Sequence, residues 1–157
     1  MAKLGELYDS DFVLWTEEQA AALRRAKDSN LPLDWENLAE EIESMGASQR
    51  TQLNSQIRRI LRHLFKLEAS PAIDPRAGRR TTIRDARAEI EDLLEASPSL
   101  RREVERIVKK QGVVAAKLSA EDLGDRGEPS EPVRARLGRG GFTAEQVLGD
   151  WFPDAPG

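Results

Sequence analysis

The sequence predicts an all-α protein, and two observations carry that prediction. Apolar residues recur at spacings of three and four along most of the 157-residue chain, which is the repeat of a helix with one buried face. Strictly alternating apolar and polar residues, the pattern of a half-buried strand, do not extend over four positions between turn residues. At this length we expect one domain spanning residues 1–157, built as a single helical bundle of about five main helices.

The first segment is predicted to be a helix that is stopped by the stretch at residues 28–32. Thr16 and Gln19 have the spacing of a capping box, in which two side chains satisfy free backbone N–H groups at a helix N-terminus. The apolar face of this helix is expected to contain Phe12, Trp15, Gln19, Leu23 and Ala26.

The next helical segment is predicted to follow Asp34, whose side chain suits the N-cap position. Gly46 either ends or bends it. Since a lone glycine costs only about 1 kcal/mol relative to alanine, residues 34–68 form either two helices or one. The expected inward face of the first part is Trp35, Leu38, Ile42 and Met45, and the clearest apolar stripe of the chain follows at Leu53, Ile57, Ile60, Leu61, Leu64 and Leu67.

Residues 70–80 contain two Pro and one Gly and are expected to form a mobile loop. Thr82 then caps a helix that buries Ile83, Ala86, Ile90, Leu93 and Leu94. Ser97 as N-cap, with Pro98 at the first helical position, begins another helix. Its inward residues are expected to be Leu100, Val104, Ile107, Val108, Val114 and Leu118.

The last part of the chain is predicted to be a long loop and a short helix. After a short turn at residues 119–123, residues 124–141 contain five Gly, two Pro and four Arg, which is typical of a mobile connection. Thr143 and Gln146 then form a capping box for a C-terminal helix. An apolar face that should dock back onto the bundle follows, made of Val147, Leu148, Trp151 and Phe152.

Five stretches occur in a characteristic order: YDSDFVLW at residues 8–15, LDWENLAEEIESMG at 33–46, LRHLFK at 61–66, SPSL at 97–100 and QVLGDWFP at 146–153. In this order they resemble the bacterial family catalogued as Domain of Unknown Function 29. The resemblance implies a small, soluble, all-helical protein, and it implies no activity because the family has no assigned one. Two features usual in the family are missing here: an aromatic-containing stretch at residues 73–80 and a Cys-Pro before the final helix.

Composition excludes several classes of function. The chain has no Cys and a single His, His63, so disulfide scaffolds, cysteine nucleophiles, thiolate zinc sites and iron–sulfur centres are excluded. We therefore predict no catalytic residue, no cofactor and no metal site. The first residues lack the apolar run of a signal peptide, and charges interrupt every apolar stretch. The expected location is the cytoplasm, without membrane contact.

Charge is organised along the chain. Residues 1–47 carry a net charge of −7, residues 48–88 carry +7 and the rest carry −4. In the basic segment Arg58, Arg62 and Lys66 follow one another at i, i+4 positions, with Arg59 on the same polar side, and residues 70–80 add Arg76, Arg79 and Arg80. This pattern indicates either a phosphate or nucleic-acid surface, or a basic strip that packs against the acidic first third. The low pI of about 5.2 favours the second interpretation.

A candidate polar cluster contains Asp34, Glu40 and His63. His63 lies at the edge of the apolar stripe, so we expect a partly buried imidazole that donates to one of these carboxylates. Such a partner would raise the pKa of His63 by charge attraction.

The sequence as a whole predicts a non-catalytic protein–protein interaction module. Its partner is expected to be another protein that contacts the exposed acidic or basic helix faces. The alternative is a nucleic-acid or phosphate-binding module that uses the basic helix 48–67 and the loop 70–80.

Overall fold

The computed structural model describes residues 4–157, and at Leu4 only the backbone. Within these residues the regular structure is entirely helical, which confirms the predicted all-α class. Two 3-10 helices, Ala26–Asp28 and Pro98–Glu103, accompany seven α-helices: α1 (Leu4–Ser10), α2 (Phe12–Arg25), α3 (Trp35–Ala69), α4 (Arg76–Ala96), α5 (Val104–Asp125), α6 (Glu131–Gly138) and α7 (Ala144–Leu148).

The chain separates into two compact units. The first contains the residues through Leu53 together with Asp92–Arg102, and the second contains Asn54–Glu91 together with Glu103–Gly157. Helices α3 and α4 contribute residues to both units. The expectation of a single domain over residues 1–157 stays a prediction.

In the first unit, two distant parts of the sequence meet at the N-terminus of α2. Asp11 is the N-cap, and its Oδ1 accepts from the backbone N–H of Leu14 at 3.0 Å. The hydroxyl of Ser97 accepts from the N–H of Val13 at 3.1 Å. Ser99 donates to the Asp11 carboxylate from its backbone N–H, at 2.7 Å, and from its hydroxyl, at 2.9 Å. We call Asp11, Ser97 and Ser99 the capping cluster.

The hydrogen bonds at the start of α2 and at Ser97 differ from two of the predictions. The capping box of Thr16 and Gln19 is wrong, because Thr16 lies inside α2 and its hydroxyl donates to the carbonyl of Val13 at 2.7 Å. Ser97 does precede a helix at Pro98, as expected, but that helix is of the 3-10 type. The Ser97 hydroxyl satisfies a free N–H of α2 instead.

Helix α3 passes through Gly46 without a break, so the alternative of one long helix is correct. The predicted N-cap is confirmed by the Asn37 N–H, which donates to Asp34 Oδ1 at 3.3 Å. Gly46 is buried against α2, and a Cβ built on it would overlap Thr16 Oγ1. Glycine is thus required here by the close approach of the two helices.

The buried face of α3 in the first unit is rotated from the predicted one. Ala39 and Leu53 are fully buried, and together with Gly46 they repeat every seven residues along α3. Leu38 and Met45, expected to point inward, are 40% and 48% exposed. Small residues at positions 39 and 46 permit the close approach to α2, which explains why that face is buried and its larger neighbours are not.

The core of the second unit is built on the predicted stripe of α3. Ile57, Ile60, Leu61, Leu64 and Leu67 are fully buried, as is Phe65. Helix α4 adds Ile83, Ala86 and Ile90, and α5 adds Ile107, Ala115 and Leu123. Val114, predicted to be inward, is 41% exposed because it lies at the edge of the buried face of α5.

The predicted loop at residues 70–80 is shorter than expected, because α4 already begins at Arg76. Pro75 is compatible with a helix start, where the missing N–H would have no helical partner. The hydroxyl of Thr82 donates to the carbonyl of Gly78 at 3.1 Å. Thr82 therefore lies inside the helix, and its predicted capping role is wrong.

The predicted loop at residues 124–141 is also largely helical. Helix α5 continues through residues 119–123 to Asp125, and α6 occupies Glu131–Gly138. Three of the glycines lie in the turns that flank α6 and adopt positive φ: Gly127 before it, and Gly140 and Gly141 after it. The capping box of Thr143 and Gln146 is confirmed, with hydrogen bonds of 2.9 and 3.1 Å.

The C-terminal segment docks in the second unit, as predicted. Val147 is fully buried. Arg87 of α4 donates to three backbone carbonyls, those of Gln146, Val147 and Trp151, at 2.7–2.9 Å. Its guanidinium also lies 4.8 Å from the ring centre of Phe152. Arg87 thus holds this segment by its backbone.

We expect Gly46→Ala to destabilise the first unit, even though alanine is the better helix former. The added methyl group meets the Thr16 hydroxyl, and overpacking of this kind costs about 1–3 kcal/mol. Urea unfolding followed by circular dichroism measures the change.

The double variant Thr16→Ala/Gly46→Ala is the control, because it removes the atom that the methyl group would meet. We expect it to be more stable than the sum of the two single changes by about 1 kcal/mol. Strict additivity of the two changes would contradict this account of Gly46.

Candidate functional site

A groove of about 320 Å³ in the second unit concentrates positively charged side chains. Six of its residues repeat at helical spacing along α3, and one comes from α5: Ser55, Arg58, Arg59, Arg62, His63, Lys66 and Leu118. We call it the basic groove. The helical spacing that predicted a polar face at residues 58–66 thus also places these residues on one wall.

Asp122 of α5 holds two of the cations of the groove. Arg62 donates to both carboxylate oxygens, from Nε at 2.7 Å and from Nη2 at 2.6 Å, and Lys66 Nζ donates to Oδ2 at 3.1 Å. The Arg62 hydrogen bonds, with those of Lys66, lower the pKa of Asp122 to about 2. The pKa of Arg62 is raised by the same bonds, whereas burial lowers the pKa of Lys66 despite its pairing.

The interpretation that the acidic first third neutralises this strip does not hold for Arg62 and Lys66. Their carboxylate comes from Asp122, in the last third of the chain. Asp122 and Gln111 are the residues that sequence reasoning missed here. They are eleven residues apart and share one face of α5, but the turn predicted at residues 119–123 separated Asp122 from the predicted helix.

The other two cations of the groove, Arg58 and Arg59, pair with no carboxylate in the part of the chain that the structure describes. Arg58 donates to the neutral Gln111 Oε1 at 3.3 Å, and Gln111 in turn donates to Asn54 Oδ1 at 3.3 Å. Arg59 is exposed, and within residues 4–157 it forms neither a hydrogen bond nor an ion pair. Among the described residues, two guanidinium groups of the groove are therefore left without an acidic partner.

His63 lies among cations, so the expected acidic partner is wrong. Burial, together with the charges of Lys66, Arg59, Arg79 and Arg62, lowers the pKa of His63 to about 4. Its Nδ1 is buried and has no hydrogen-bond partner in the described part of the chain.

The polar cluster of Asp34, Glu40 and His63 does not form. All three belong to α3 or its N-cap, and Glu40 precedes His63 by about six helical turns. A continuous helix keeps residues at that separation apart.

The structure also divides the predicted anion surface. Arg58, Arg62 and Lys66 line the basic groove, but Arg76 is only 8% exposed and donates to the carbonyls of Leu67, at 2.6 Å, and Pro153, at 3.3 Å. Because α4 begins at residue 76, Arg76 is committed to backbone contacts rather than to a surface loop.

The two remaining arginines of the predicted surface also belong to α4. Arg79 is 5% exposed, its Nη1 has no partner within residues 4–157, and burial lowers its pKa. Arg80 is half-buried. Neither lines the basic groove.

A second feature lies in the first unit, on the N-terminal half of α3. Trp35 and Ile42 are half-buried, while Leu38 and Met45 are well exposed. We call these four residues the α3 stripe. Glu41, which directly precedes Ile42, is exposed on the α3 surface beside this stripe.

The acids on the other side of α3 are held by α2. Arg24 pairs with Glu36 at 3.5 Å and with Glu43 at 2.5 Å. The α3 stripe lies away from these pairs, so α2 leaves part of it uncovered.

The family model Domain of unknown function DUF29 matches residues 7–129. The chain belongs to this family. The DUF29 chain is similar to a solved alpha-helical protein of unknown function from Rhodospirillum rubrum, at 24% identity, with a TM-score of 0.72 over 90% of this chain and 88% of that one. This likeness shows the fold. Among curated proteins no significant match was found.

Most of the stretches that resemble the family have a structural role in this DUF29 protein. Residues 8–15 and 97–100 supply the capping cluster. Residues 61–66 supply Arg62, His63 and Lys66 to the basic groove, and 146–153 are the segment that Arg76 and Arg87 hold. No helix in the described residues is long and apolar enough to cross a membrane.

We expect the stability of the protein to fall between pH 6.5 and 4 because of His63. The unfolded chain binds a proton near pH 6.5 and the folded chain only near pH 4, so acid favours unfolding in this window. Partial exposure limits the effect to about 1 kcal/mol.

Urea unfolding of the wild type and of His63→Gln at pH 7 and pH 5, in phosphate-free buffer, measures this effect. The wild type should lose more stability than the variant on acidification. Equal losses would contradict the lowered pKa of His63.

Arg76→Lys should reveal the structural role of that side chain. Lysine keeps the charge but cannot reach two carbonyls with a planar fork, so we expect a loss of about 1–3 kcal/mol in urea unfolding. Arg80→Lys is the matched control and should change stability by less than about 0.5 kcal/mol. Similar losses for both variants would argue against the backbone contacts of Arg76.

Proposed function

We propose that this DUF29 protein is a non-catalytic interaction module and that its α3 stripe binds an amphipathic helix of another protein. One observation carries the proposal: Leu38 and Met45, seven residues apart on α3, are 40% and 48% exposed. Contiguous exposed apolar residues on a helix are typical of protein contact sites.

The spacing of the stripe suits a helical partner. Its residues follow one another at intervals of three and four, which forms a ridge that can pack against the groove of a second helix. Leu31 and Leu33, immediately before α3, are 62% and 50% exposed and could extend the apolar contact at its N-terminal end.

Charge defines the chemistry of the partner. Residues 1–47 have a net charge of −7, and exposed Glu41 borders the stripe on the α3 surface, outside the ion pairs of Arg24. A partner helix with Lys or Arg beside its apolar face would complement this border, whereas an acidic helix would be repelled.

The energetics favour a transient complex. Full burial of a Leu or Met side chain contributes about 1.5–3 kcal/mol, and association costs at least about 4 kcal/mol. Since Leu38 and Met45 are only 40% and 48% exposed in the free protein, each contributes a fraction of that value on binding. The complex is therefore expected to be weak and transient, and opposite charges at the border make it salt-sensitive.

A synthetic amphipathic peptide with leucines on one helical face and lysines on the other tests the proposal by fluorescence anisotropy. We expect Leu38→Ser/Met45→Ser to weaken its binding by about tenfold or more. Val113→Ser/Val114→Ser, which removes two exposed apolar residues of α5, is the matched control and should bind as the wild type does. A peptide of the same composition in scrambled order should not bind.

Three results would overturn the proposal. The two double variants could lose affinity equally, or a leucine and glutamate peptide could bind as well as the basic one. A concentration-dependent dimer in analytical ultracentrifugation that only Leu38→Ser/Met45→Ser abolishes would assign the stripe to a second copy of this chain. If none of these results is obtained, affinity purification from the host identifies the natural partner. That protein should co-purify with the wild type and with Val113→Ser/Val114→Ser, and should be lost with Leu38→Ser/Met45→Ser.

A nucleic-acid surface on helix 48–67 and the segment 70–80 is the alternative, and it has less support. Arg62 and Lys66 share Asp122, and Arg76 is committed to carbonyls. Phe65, the aromatic residue among these arginines, is fully buried and offers no face for base stacking.

A further inference from the structure

We infer that the basic groove is a binding site for a single phosphate group, either free phosphate or a small phosphomonoester. The inference concerns the second unit alone and does not depend on the α3 stripe. It rests on the charge, the donors and the size of the groove.

The groove carries an excess of positive charge at short range. Four cations line it, and Asp122 is the carboxylate that bonds to two of them, with Glu121 acting on Arg62 from further away. Within residues 4–157, neither Arg58 nor Arg59 forms an ion pair with a carboxylate. A dianionic oxyanion is the ligand that compensates two guanidinium groups.

Most of the donors are already held in place. Both oxygens of Asp122 fix the guanidinium of Arg62, and Gln111 positions that of Arg58. A ligand therefore pays little entropy to order them. Arg59 is exposed and unrestrained, so it is the donor that can close on an oxyanion.

Size and lining exclude a larger nucleic-acid ligand from the groove itself. Its volume of about 320 Å³ is at the lower limit for small-molecule sites. Ser55 offers a hydroxyl, and none of the lining residues is aromatic apart from the imidazole of His63. A phosphate group fits this chemistry, while a stacked base has no platform.

His63 provides a built-in reporter of occupancy. The charged groups that surround it are Lys66, Arg59 and Arg62 from α3 and Arg79 from α4, with Asp122 of α5 bonded to two of them. Their repulsion helps to keep the imidazole neutral. Bound phosphate, a dianion near pH 7 and a monoanion in the acidic range where His63 titrates, would offset part of that repulsion and move the titration of His63 toward higher pH.

Isothermal titration calorimetry of the full chain with inorganic phosphate, in low-salt buffer near pH 7, tests the inference. We expect one saturable site with a Kd below about 1 mM and at least about tenfold weaker binding for Arg59→Ala. Arg139→Ala, which removes another exposed arginine of the second unit, should bind as the wild type does. Proton NMR should show the His63 midpoint rising by about one pH unit when phosphate is added.

Glycerol phosphate in the same titration identifies the source of the phosphate group, since tighter binding than that of free phosphate indicates a phosphomonoester. Leu38→Ser/Met45→Ser should leave phosphate binding unchanged, which separates this site from the proposed interaction function. The inference is overturned by the absence of saturable binding, or by equal losses in Arg59→Ala and Arg139→Ala. It is also overturned by a labelled oligonucleotide that binds the wild type and is not displaced by phosphate.

Discussion

The uninterrupted course of α3 is the constraint on which the rest of the protein depends. Its backbone continues from Trp35 to Ala69, so every side chain along it has a fixed position in one helical series. The α3 stripe belongs to its N-terminal half and the basic groove to its C-terminal half. Gly46 makes this possible, because its lack of a Cβ lets α2 approach while the helical hydrogen bonds continue.

The parts of the fold that could be predicted are those that depend on neighbours in sequence. The stripe through Ile57 and Leu64 was predicted because burial follows helical periodicity, and the capping box of Thr143 because both partners lie within one turn. The local sequence around Thr82 and Ser97 predicts an N-cap just as well. Their hydroxyls nevertheless bond elsewhere, to Gly78 within α4 and to Val13 in α2, and only the second of these partners is distant in sequence.

In the candidate site, too, the sequence predicted only the features that depend on helical spacing. Helical spacing placed Arg58, Arg62 and Lys66 on one wall, but the carboxylate opposite them comes from Asp122, 56 residues beyond Lys66. For His63 the prediction from the sequence was wrong. Nothing in the local sequence distinguishes a histidine beside acids from one beside cations, and the arrangement of α3 and α4 decides between them. Arginines that bond to backbone carbonyls, such as Arg76 and Arg87, are similarly indistinguishable from surface arginines in the sequence.

The capping cluster has a consequence for how the protein is made. Asp11 and Ser99 are 88 residues apart, and at about 5–20 residues per second a ribosome needs several seconds to synthesise the chain between them. During that interval the Val13 N–H in the first turn of α2 lacks its acceptor Ser97, and the Asp11 carboxylate lacks the two donors of Ser99. The first unit therefore finishes folding only after residues 97–99 have left the ribosomal tunnel, and its N-terminal helices remain accessible to chaperones and proteases until then.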